Sequence, residues 1–301
     1  MDTPNFHSKF GGMWIDRADW RQRLSAMHLP ANVRDDLIFF VENGFLILEG
    51  AIDLDAIDAF QQQVEKSFRE GNERLLYQHH GSYHAQPLTE PVDRLGTRIV
   101  DSYVGLPEAL DLFASPRLFA FLKLIFADDP LLFQSLSFDQ GSQQGLHQDT
   151  AYVVVDRPME LAACWIALED VKEGSGELMY APGSHRFPDY PFAGNKKHWS
   201  AEEDGLDVHE GWSRYLYEQS LQLPSGIDVF RPKKGDVLIW HADLAHGGSP
   251  VKDTNLTRQS LVGHFCPANA RPYYFDHSQR DVIKQHGPLH YSSSHYDLSK
   301  E

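Results

Sequence analysis

Two side chains that commonly bind metal ions, His147 and Asp149, stand two residues apart in the segment GLHQDTAY, residues 145–152. Alternate residues of an extended strand point to the same face. If it is extended, the segment would therefore present an imidazole nitrogen and a carboxylate oxygen to one ion. The spacing is not specific by itself, because a solvated strand that carries two polar side chains gives the same pattern.

A third ligand is expected from the segment GDVLIWHADLAHGGSP, residues 235–250, which contains His241 and His246. We favour His246 because two glycines follow it and allow a ligand or another backbone to come close. The number of residues between His246 and an arginine further along the chain is also suitable. Two imidazoles and one carboxylate on one side of a metal are typical of non-haem Fe(II) oxygenases. His241 remains the alternative third ligand.

That arginine is Arg258, twelve residues after His246 in the segment NLTRQSLVGHF. The run that follows it predicts a strand on the inside of the fold, where an unpaired guanidinium is unfavourable. A carboxylate of a bound ligand would be a suitable partner, held through two parallel hydrogen bonds. The pattern therefore predicts an anionic small molecule close to the metal.

The elements that position these residues begin with a part predicted to be mostly helical, residues 1–128. Apolar residues recur there every three or four positions from Leu54 to Phe68. This spacing predicts one amphipathic helix, with Asp53 as its N-cap and Gly71 as its end.

Two further helices are predicted in the same part of the chain. One ends at Gly44 and is followed by a short strand over residues 45–48. The other begins at Pro116, a suitable first helical residue, with Ser115 as its N-cap.

Residues 129–270 have a different character, since short β-rich runs follow one another between glycine, proline, aspartate and serine. The runs are LLFQSLSF, LHQDTAYVVV, LAACWIAL, ELMYAP, IDVF, GDVLIW and RQSLVGHF. Such a series is typical of a β-sandwich or barrel rather than of a parallel α/β sheet. The sequence shows no internal repeat and no low-complexity linker. We therefore predict one domain over residues 1–301, mainly β, with helices packed on the β core.

Two long segments are predicted to be loops: residues 75–92 and the insertion at residues 184–226. Loops of this length inside a compact domain are usually lids or binding loops. The first contains His79, His80 and His84. These predict a polar lid or a solvated loop rather than a second metal cluster.

The composition excludes several classes of partner. A formal net charge of −16 argues against nucleic acid and anionic membranes, which are polyanions. No apolar run reaches the roughly 20 residues of a membrane helix, and the N-terminus has no signal-peptide pattern. Cys164 and Cys266 lie in strand-like runs and are predicted to be buried free thiols, which suits a reducing cytoplasm. These features predict an acidic, cytoplasmic, globular protein.

Four motifs occur in a fixed order along residues 130–267. They are LHQDTAY, CWIALEDVKEGSGELMYAPGSHR, GDVLIWHADLAHGGSP and TRQSLVGHF, and the segment FVENGFLILEGAI precedes them. In this order the sequence resembles the phytanoyl-CoA dioxygenase family of Fe(II)/2-oxoglutarate-dependent oxygenases. The resemblance implies a distorted double-stranded β-helix, a cupin-like jelly roll, which agrees with the series of predicted strands.

The resemblance also implies a role for each candidate residue. His147, Asp149 and His246 would be the iron ligands, and Arg258 would pair with the distal carboxylate of 2-oxoglutarate. The implied reaction uses Fe(II), 2-oxoglutarate and O₂, with ascorbate in support, and hydroxylates an unactivated C–H bond while 2-oxoglutarate is converted to succinate and CO₂. Because related halogenases lack the metal carboxylate, Asp149 favours hydroxylation over halogenation.

Further contacts with the co-substrate or the substrate are implied at four positions. Trp165 falls where the family has a tryptophan beside 2-oxoglutarate, and core packing is the alternative. Gln148 lies between the ligands, and Gln134 precedes them on a predicted strand. Some members have a serine two residues after the distal histidine, whereas this chain has Gly248 there and Ser249 next.

The substrate is predicted to be a small metabolite, bound by a monomer or a homodimer. An acyl-CoA would require a basic patch, and the lysine pairs at residues 196–197 and 233–234 are too few for one. Two alternatives to the 2-oxoglutarate-dependent hydroxylase are open. A cupin-like metalloenzyme that does not use 2-oxoglutarate has no need of Arg258. A non-catalytic jelly-roll binding module has no need of a complete set of metal ligands.

Overall fold

The structure, a computed structural model, describes residues 6–79, 81–82, 84–94, 96–273, 282–293 and 295–300. Its α-helices are α1 (Trp20–Ser25), α2 (Ala31–Asn43), α3 (Leu54–Glu70), α4 (Ser102–Gly105), α5 (Glu108–Phe113), α6 (Pro116–Phe126) and α7 (Leu206–Leu221). Its strands are β1 (Phe45–Leu48), β2 (Asn72–His79), β3 (Gln86–Leu88), β4 (Thr97–Val100), β5 (Pro130–Phe138), β6 (Ala162–Ala167), β7 (Leu178–Tyr180), β8 (Asp228–Phe230), β9 (Val237–His241), β10 (His246–Gly248), β11 (Ser260–Pro267), β12 (Lys284–His286) and β13 (Leu289–Tyr291). Within these ranges no helix combines the length and the apolar character needed to cross a membrane.

The strands form a ten-stranded sheet and a three-stranded sheet. The large sheet has the order β1-β9-β6-β11-β5-β4-β2-β3, and β13 adds to β5 in parallel and carries β12. The small sheet has the order β10-β7-β8 and is antiparallel throughout. Neighbouring strands that lie far apart in the chain, such as β5 and β11, are typical of a jelly roll. The predicted fold class, mainly β with flanking helices, is confirmed.

Alternating side chains on the strands separate two hydrophobic cores. On β6, Cys164 and Ile166 pack in the core that the large sheet shares with the helices. Trp165 points the other way and packs with Trp240 of β9 and Phe230 of β8, between the two sheets. Because successive strand residues point to opposite faces, the inner face of the large sheet carries the side chains that meet in the interior of the jelly roll.

The helix predicted to end at Gly71 is confirmed as α3. Oδ1 of Asp53 accepts the backbone N–H of Ala56 at 3.0 Å, which satisfies one of the free donors of the first turn. Gly71 follows the helix with a φ of 82°. The predicted apolar face is buried except for Leu54, which is 52% exposed because it stands at the first turn, beyond the core.

The helix predicted to end at Gly44 is also confirmed, as α2, and β1 follows it as expected. Gly44 has a φ of 81°, and a Cβ at this position would lie 2.4 Å from Nδ1 of His185. Conformation and packing therefore both require glycine. The helix predicted from Pro116 is confirmed as α6, but Ser115 is not its side-chain cap: its hydroxyl donates to the carbonyl of Ala51 at 2.7 Å.

The prediction of a loop over residues 75–92 is wrong. Strands β2 and β3 pair with each other in this segment, and β2 joins the large sheet through β4. The burial of β2 is irregular along the strand, so its sequence lacks the clear alternation that predicts one. Of the three histidines, His79 ends β2, His84 lies in the connection to β3, and His80 lies outside the described residues.

The prediction of a strand over the run LHQDTAYVVV is also wrong beyond its first residues. A 3₁₀ helix, Asp149–Ala151, follows directly, because the N–H groups of Tyr152 and Val153 both bind the carbonyl of Asp149, at 2.8 and 2.7 Å. The turn ends the extended backbone at Asp149. His147 pairs only through an isolated bridge.

The first 128 residues are not purely helical, since β1 to β4 come from this part and join the large sheet. The insertion at residues 184–226 is not simply a loop, because it contains α7. One sheet thus draws strands from both predicted parts of the chain. We therefore propose that residues 1–301 form one domain, in which the N-terminal part completes the sheet of the β core.

Candidate metal centre

Two backbone segments come together to form the candidate metal centre. The N–H of His147 donates to the carbonyl of His246 and the N–H of His246 donates to the carbonyl of His147, both at 2.9 Å. The close approach depends on Gly247, where a Cβ would lie 2.7 Å from the carbonyl oxygen of Gln144. The glycine after His246 therefore allows the close approach of the two backbone segments that the sequence predicts.

The three predicted ligands lie around one point. One ligand atom each from His147, Asp149 and His246 lies within 4.8 Å of the other two, and all three residues are buried. Nε2 of His147 lies 3.9 Å from Oδ1 of Asp149, and Nε2 of His246 lies 3.5 Å from the same oxygen. The alternative ligand, His241, is directed elsewhere, since its Nε2 lies 3.3 Å from Asp16.

Both histidines are held in the form that binds metals. Nδ1 of His147 lies 2.9 Å from the carbonyl oxygen of Gly145, and Nδ1 of His246 lies 2.9 Å from that of Leu244. Because a carbonyl oxygen can only accept, each Nδ1 donates, and the lone pair lies on Nε2. Burial, followed by the proximity of His246, lowers the pKa of His147 to about 3, so its ring is neutral at physiological pH.

The carboxylate of Asp149 is also oriented. Its Oδ2 accepts the indole N–H of Trp240 at 2.7 Å, which leaves Oδ1 facing the two imidazoles. Burial by itself would raise the pKa of Asp149, but His246 and His264 outweigh it and hold the pKa below its usual value. Two imidazoles whose Nε2 atoms face a carboxylate oxygen on one side of a shared point are a donor set that fits Fe(II).

A small cavity of about 80 Å³ adjoins the ligands, and Arg258 and Trp165 lie in its wall. Arg258 is 2% exposed, and its guanidinium carbon lies 5.4 Å from the ring of Trp165 and 5.8 Å from that of Phe138. Within the described ranges its side chain has no hydrogen bond and no ion pair, and its Nε is buried. Burial lowers the pKa of Arg258 to about 10, so it stays charged at neutral pH. A buried, charged guanidinium of this kind calls for an anionic ligand.

A larger cavity of about 400 Å³ lies beside the same ligands and also contains His147, Asp149 and His264 in its wall. Its other polar lining residues include Arg98, Gln134, Tyr152, His209 and Ser213. The candidate metal centre therefore adjoins two cavities: a small one with Arg258 in its wall, and a larger one with room for a second molecule.

Helix α7 of the insertion covers the larger cavity. Its His209 lies 2.5 Å from the hydroxyl of Tyr152, and the ring of Tyr152 lies 5.5 Å from that of His147. Trp199 packs on His209 and donates its backbone N–H to the carbonyl of Ala151 at 3.0 Å. The insertion is thus anchored on the turn that follows Asp149.

We expect Tyr152→Phe to loosen α7 over the cavity. Loss of one hydrogen bond costs about 1 kcal/mol, which corresponds to roughly fivefold in an equilibrium constant. Amide hydrogen exchange in α7 should therefore be about fivefold faster than in the wild type. Tyr217→Phe is the control, because this side chain is half exposed on the same helix and should leave the exchange rates unchanged. Equal exchange in Tyr152→Phe and wild type would contradict the anchoring.

Comparison with known sequences decides the family. A sequence model of the family described as phytanoyl-CoA dioxygenase (PhyH) matches residues 40–260. The chain belongs to the phytanoyl-CoA dioxygenase family. This confirms the resemblance that the four motifs indicated, and with it the prediction of an iron- and 2-oxoglutarate-dependent dioxygenase.

Curated relatives match most of the chain. The chain is 26% identical over 270 residues to human peroxisomal phytanoyl-CoA dioxygenase, covering 82% of this chain and 72% of that protein. It is also 26% identical over 256 residues to 1-deoxypentalenic acid 11-beta-hydroxylase of Streptomyces exfoliatus, covering 77% of this chain and 80% of that protein. These two relatives act on different molecules, so family membership does not name a substrate.

Solved structures show the same fold. The carbocyclase SnoK from nogalamycin biosynthesis matches with a TM-score of 0.59 at 15% identity, covering 82% of this chain and 87% of that one. EctD from S. alaskensis with 2-oxoglutarate and 5-hydroxyectoine matches with a TM-score of 0.56 at 18% identity, covering 81% of this chain and 78% of that one. At these identities the likeness supports the jelly-roll fold of the phytanoyl-CoA dioxygenase family.

The four weaker candidates fall in different places. Trp165 lines the small cavity with Arg258, whereas Gln134 lines the larger one. Gln148 lies outside both cavities, because its amide donates to the backbone carbonyl of Asp243 at 2.8 Å. Ser249 also lies outside them and donates its backbone N–H to the backbone carbonyl of Glu177 at 2.8 Å. The geometry therefore does not bring Gln148 and Ser249 to the predicted co-substrate contact.

Two residues at the site were missed by the sequence analysis, Trp240 and His264. Nε2 of His264 lies 3.5 Å from Oδ2 of Asp149, and its Nδ1 is buried without a partner among the described residues. Side chains separated by an even number of residues lie on the same face of a strand. Arg258, Val262 and His264 have this spacing and all line the small cavity, so the position of His264 relative to Arg258 was the available signal. Trp240 has no comparable signal, because a tryptophan in an apolar strand predicts core packing.

Proposed function

We propose that this chain hydroxylates a small-molecule metabolite, with His147, Asp149 and His246 as the iron ligands and Arg258 as the anchor of 2-oxoglutarate. The observation that carries the proposal is the buried guanidinium of Arg258, which lacks a partner in the described part of the chain and shares a cavity with all three ligands. A cupin-type enzyme without 2-oxoglutarate gives this charge no function. When bound, iron with 2-oxoglutarate and O₂ supplies the oxidant for a C–H bond.

The residues of the chain contribute orientation and exclusion of water. Arg258 would fix the distal carboxylate through parallel hydrogen bonds, and the rings of Trp165 and Phe138 lie 5.4 and 5.8 Å from the guanidinium carbon. Trp240 keeps Oδ2 of Asp149 occupied, so the ligand oxygen stays directed at the shared point. A mostly apolar small cavity keeps competing water away from the reacting groups.

We propose the larger cavity as the substrate site and a molecule small enough to fit inside it as the substrate. Among the described residues of its wall, Arg98 is the one arginine or lysine and Asp149 is the one carboxylate. Because Asp149 would be taken up by the metal, these charges favour a neutral or anionic substrate. An acyl-CoA is disfavoured because three of the four candidate lysines already pair with carboxylates: Lys196 with Glu203, Lys197 with Asp189 and Asp243, and Lys234 with Asp58.

We further propose the cytoplasm as the location and a monomer or homodimer as the working form, without nucleic acid or membrane partners. Cys164 and Cys266 are buried free thiols, which suits a reducing compartment. The net charge of −16 disfavours polyanionic partners.

Incubation in air with Fe(II), ascorbate, 2-oxoglutarate and a metabolite extract tests the proposed reaction. We expect succinate and one extract component that becomes heavier by one oxygen atom, which isotopically labelled O₂ should supply. The matched control is the same incubation with Arg258→Leu. Metal binding without any consumption of 2-oxoglutarate would favour the cupin-type alternative. Lack of micromolar Fe(II) or Mn(II) binding would favour the non-catalytic binding module.

A further inference from the structure

A buried lysine of the insertion, Lys197, lies between two carboxylates. It is 4% exposed, and its Nζ lies 2.9 Å from Oδ1 of Asp189 and 2.6 Å from Oδ2 of Asp243. Burial alone would lower the pKa of Lys197, but the two carboxylates outweigh it and raise the pKa above its usual value. Its neighbour Lys196 differs, because it pairs with Glu203 within the insertion at the surface.

Asp243 connects this lysine to the metal centre. It stands in the turn between β9 and β10, is 2% exposed, and its second oxygen, Oδ1, accepts the hydroxyl of Thr150 at 2.6 Å. Its backbone carbonyl accepts the amide of Gln148 at 2.8 Å. The N–H of Asp149 donates to the carbonyl of the preceding residue of the turn, Ala242, at 3.0 Å. Residues on both sides of Asp149 are therefore held by one turn.

We propose that Lys197 is a positioning residue for the metal centre, which couples the insertion to Asp149 through Asp243 and Thr150. The inference rests on the proposed role of Asp149 as an iron ligand. Without the ammonium group, the carboxylate of Asp243 would stay buried and uncompensated, which is strongly unfavourable. Asp243 would then turn away and release Thr150, so the segment that carries Asp149 would be held less firmly. Groups that orient metal ligands typically change metal affinity by 10–100-fold when they are removed.

The test compares Lys197→Met with the matched control Lys196→Met by titrating the metal-free proteins with Co(II) and following its visible absorption. We expect about tenfold weaker Co(II) binding in Lys197→Met and an affinity within about twofold of the wild type in Lys196→Met. Circular dichroism and thermal unfolding of the metal-free proteins show whether each variant is folded. Lys197→Arg keeps the charge and should recover part of the lost affinity.

Thr150→Val provides a second variant that leaves the insertion and its ion pairs intact. It removes the hydroxyl next to Asp149 and keeps the shape of the side chain, and we expect it to weaken Co(II) binding in the same direction. If Lys197→Met does not fold, the test depends on Thr150→Val. Wild-type Co(II) affinity in Thr150→Val would then overturn the proposal. A folded Lys197→Met that binds Co(II) as tightly as the wild type also overturns it. Absence of Co(II) binding in the wild type would instead overturn the proposed function, and this inference with it.

Discussion

Arg258→Leu should weaken the binding of 2-oxoglutarate by about 100-fold or more. The guanidinium is buried, charged and without a protein partner in the described ranges, so the co-substrate would be its counterion. Removal of one member of a buried charge pair costs about 2–5 kcal/mol, and 100-fold corresponds to about 2.7 kcal/mol. Anaerobic calorimetric titration of the Mn(II)-loaded protein with 2-oxoglutarate measures the change directly.

The same variant should be at least as stable as the wild type when no ligand is present. An unpaired buried charge opposes folding, and leucine removes it without adding a polar group. Thermal unfolding with and without 2-oxoglutarate separates the two effects: the ligand should raise the Tm of the wild type but not that of Arg258→Leu. Arg98→Leu is the control, because Arg98 lines the larger cavity and should leave 2-oxoglutarate affinity within about twofold. Unchanged 2-oxoglutarate affinity in Arg258→Leu would reject the assigned role.

Asp149→Ala should lower the affinity for Fe(II) by at least about 100-fold, equal to about 2.7 kcal/mol, and abolish the reaction. Asp149 supplies the one anionic oxygen that faces both imidazoles, and its other oxygen is held by Trp240. Mn(II) titration followed by electron paramagnetic resonance measures the loss without dependence on turnover.

Two further variants serve as an intermediate case and a control for metal binding. Trp240→Phe keeps the ring but removes the N–H that orients Asp149, so about tenfold weaker metal binding is expected. Asp253→Ala removes a carboxylate from an exposed turn and should leave metal binding unchanged. Tight Mn(II) binding by Asp149→Ala would place the metal elsewhere in the chain.

The features that could be predicted from the sequence depend on residues close together in the chain. α3 was predicted from the spacing of its apolar residues, its cap Asp53 and its glycine end, which all lie within one segment. β6, β9 and β11 were predicted from apolar runs between turn residues. The preference for His246 over His241 also followed from local sequence, since the glycines that permit close approach stand next to it.

The predictions that failed concern segments whose structure is set by distant partners. α7 was missed because its buried residues are few, Trp212, Leu216 and Ser220, while Leu206 and Leu221 are exposed. β2 was missed because its burial does not alternate regularly. Both elements are stabilised by packing on the rest of the fold, so local periodicity does not reveal them.

By itself, the sequence determined the family, the three candidate ligands and the arginine, because each lies in a short motif whose residue types limit its chemistry. The tertiary structure decided what orients them: Trp240 on Asp149, backbone carbonyls on both histidines, His264 in the cavity wall, and Lys197 bound to Asp243 from across the insertion. A buried polar group needs a hydrogen-bond partner, but that partner can come from any position in the sequence. The tertiary fold therefore determines which residue satisfies it.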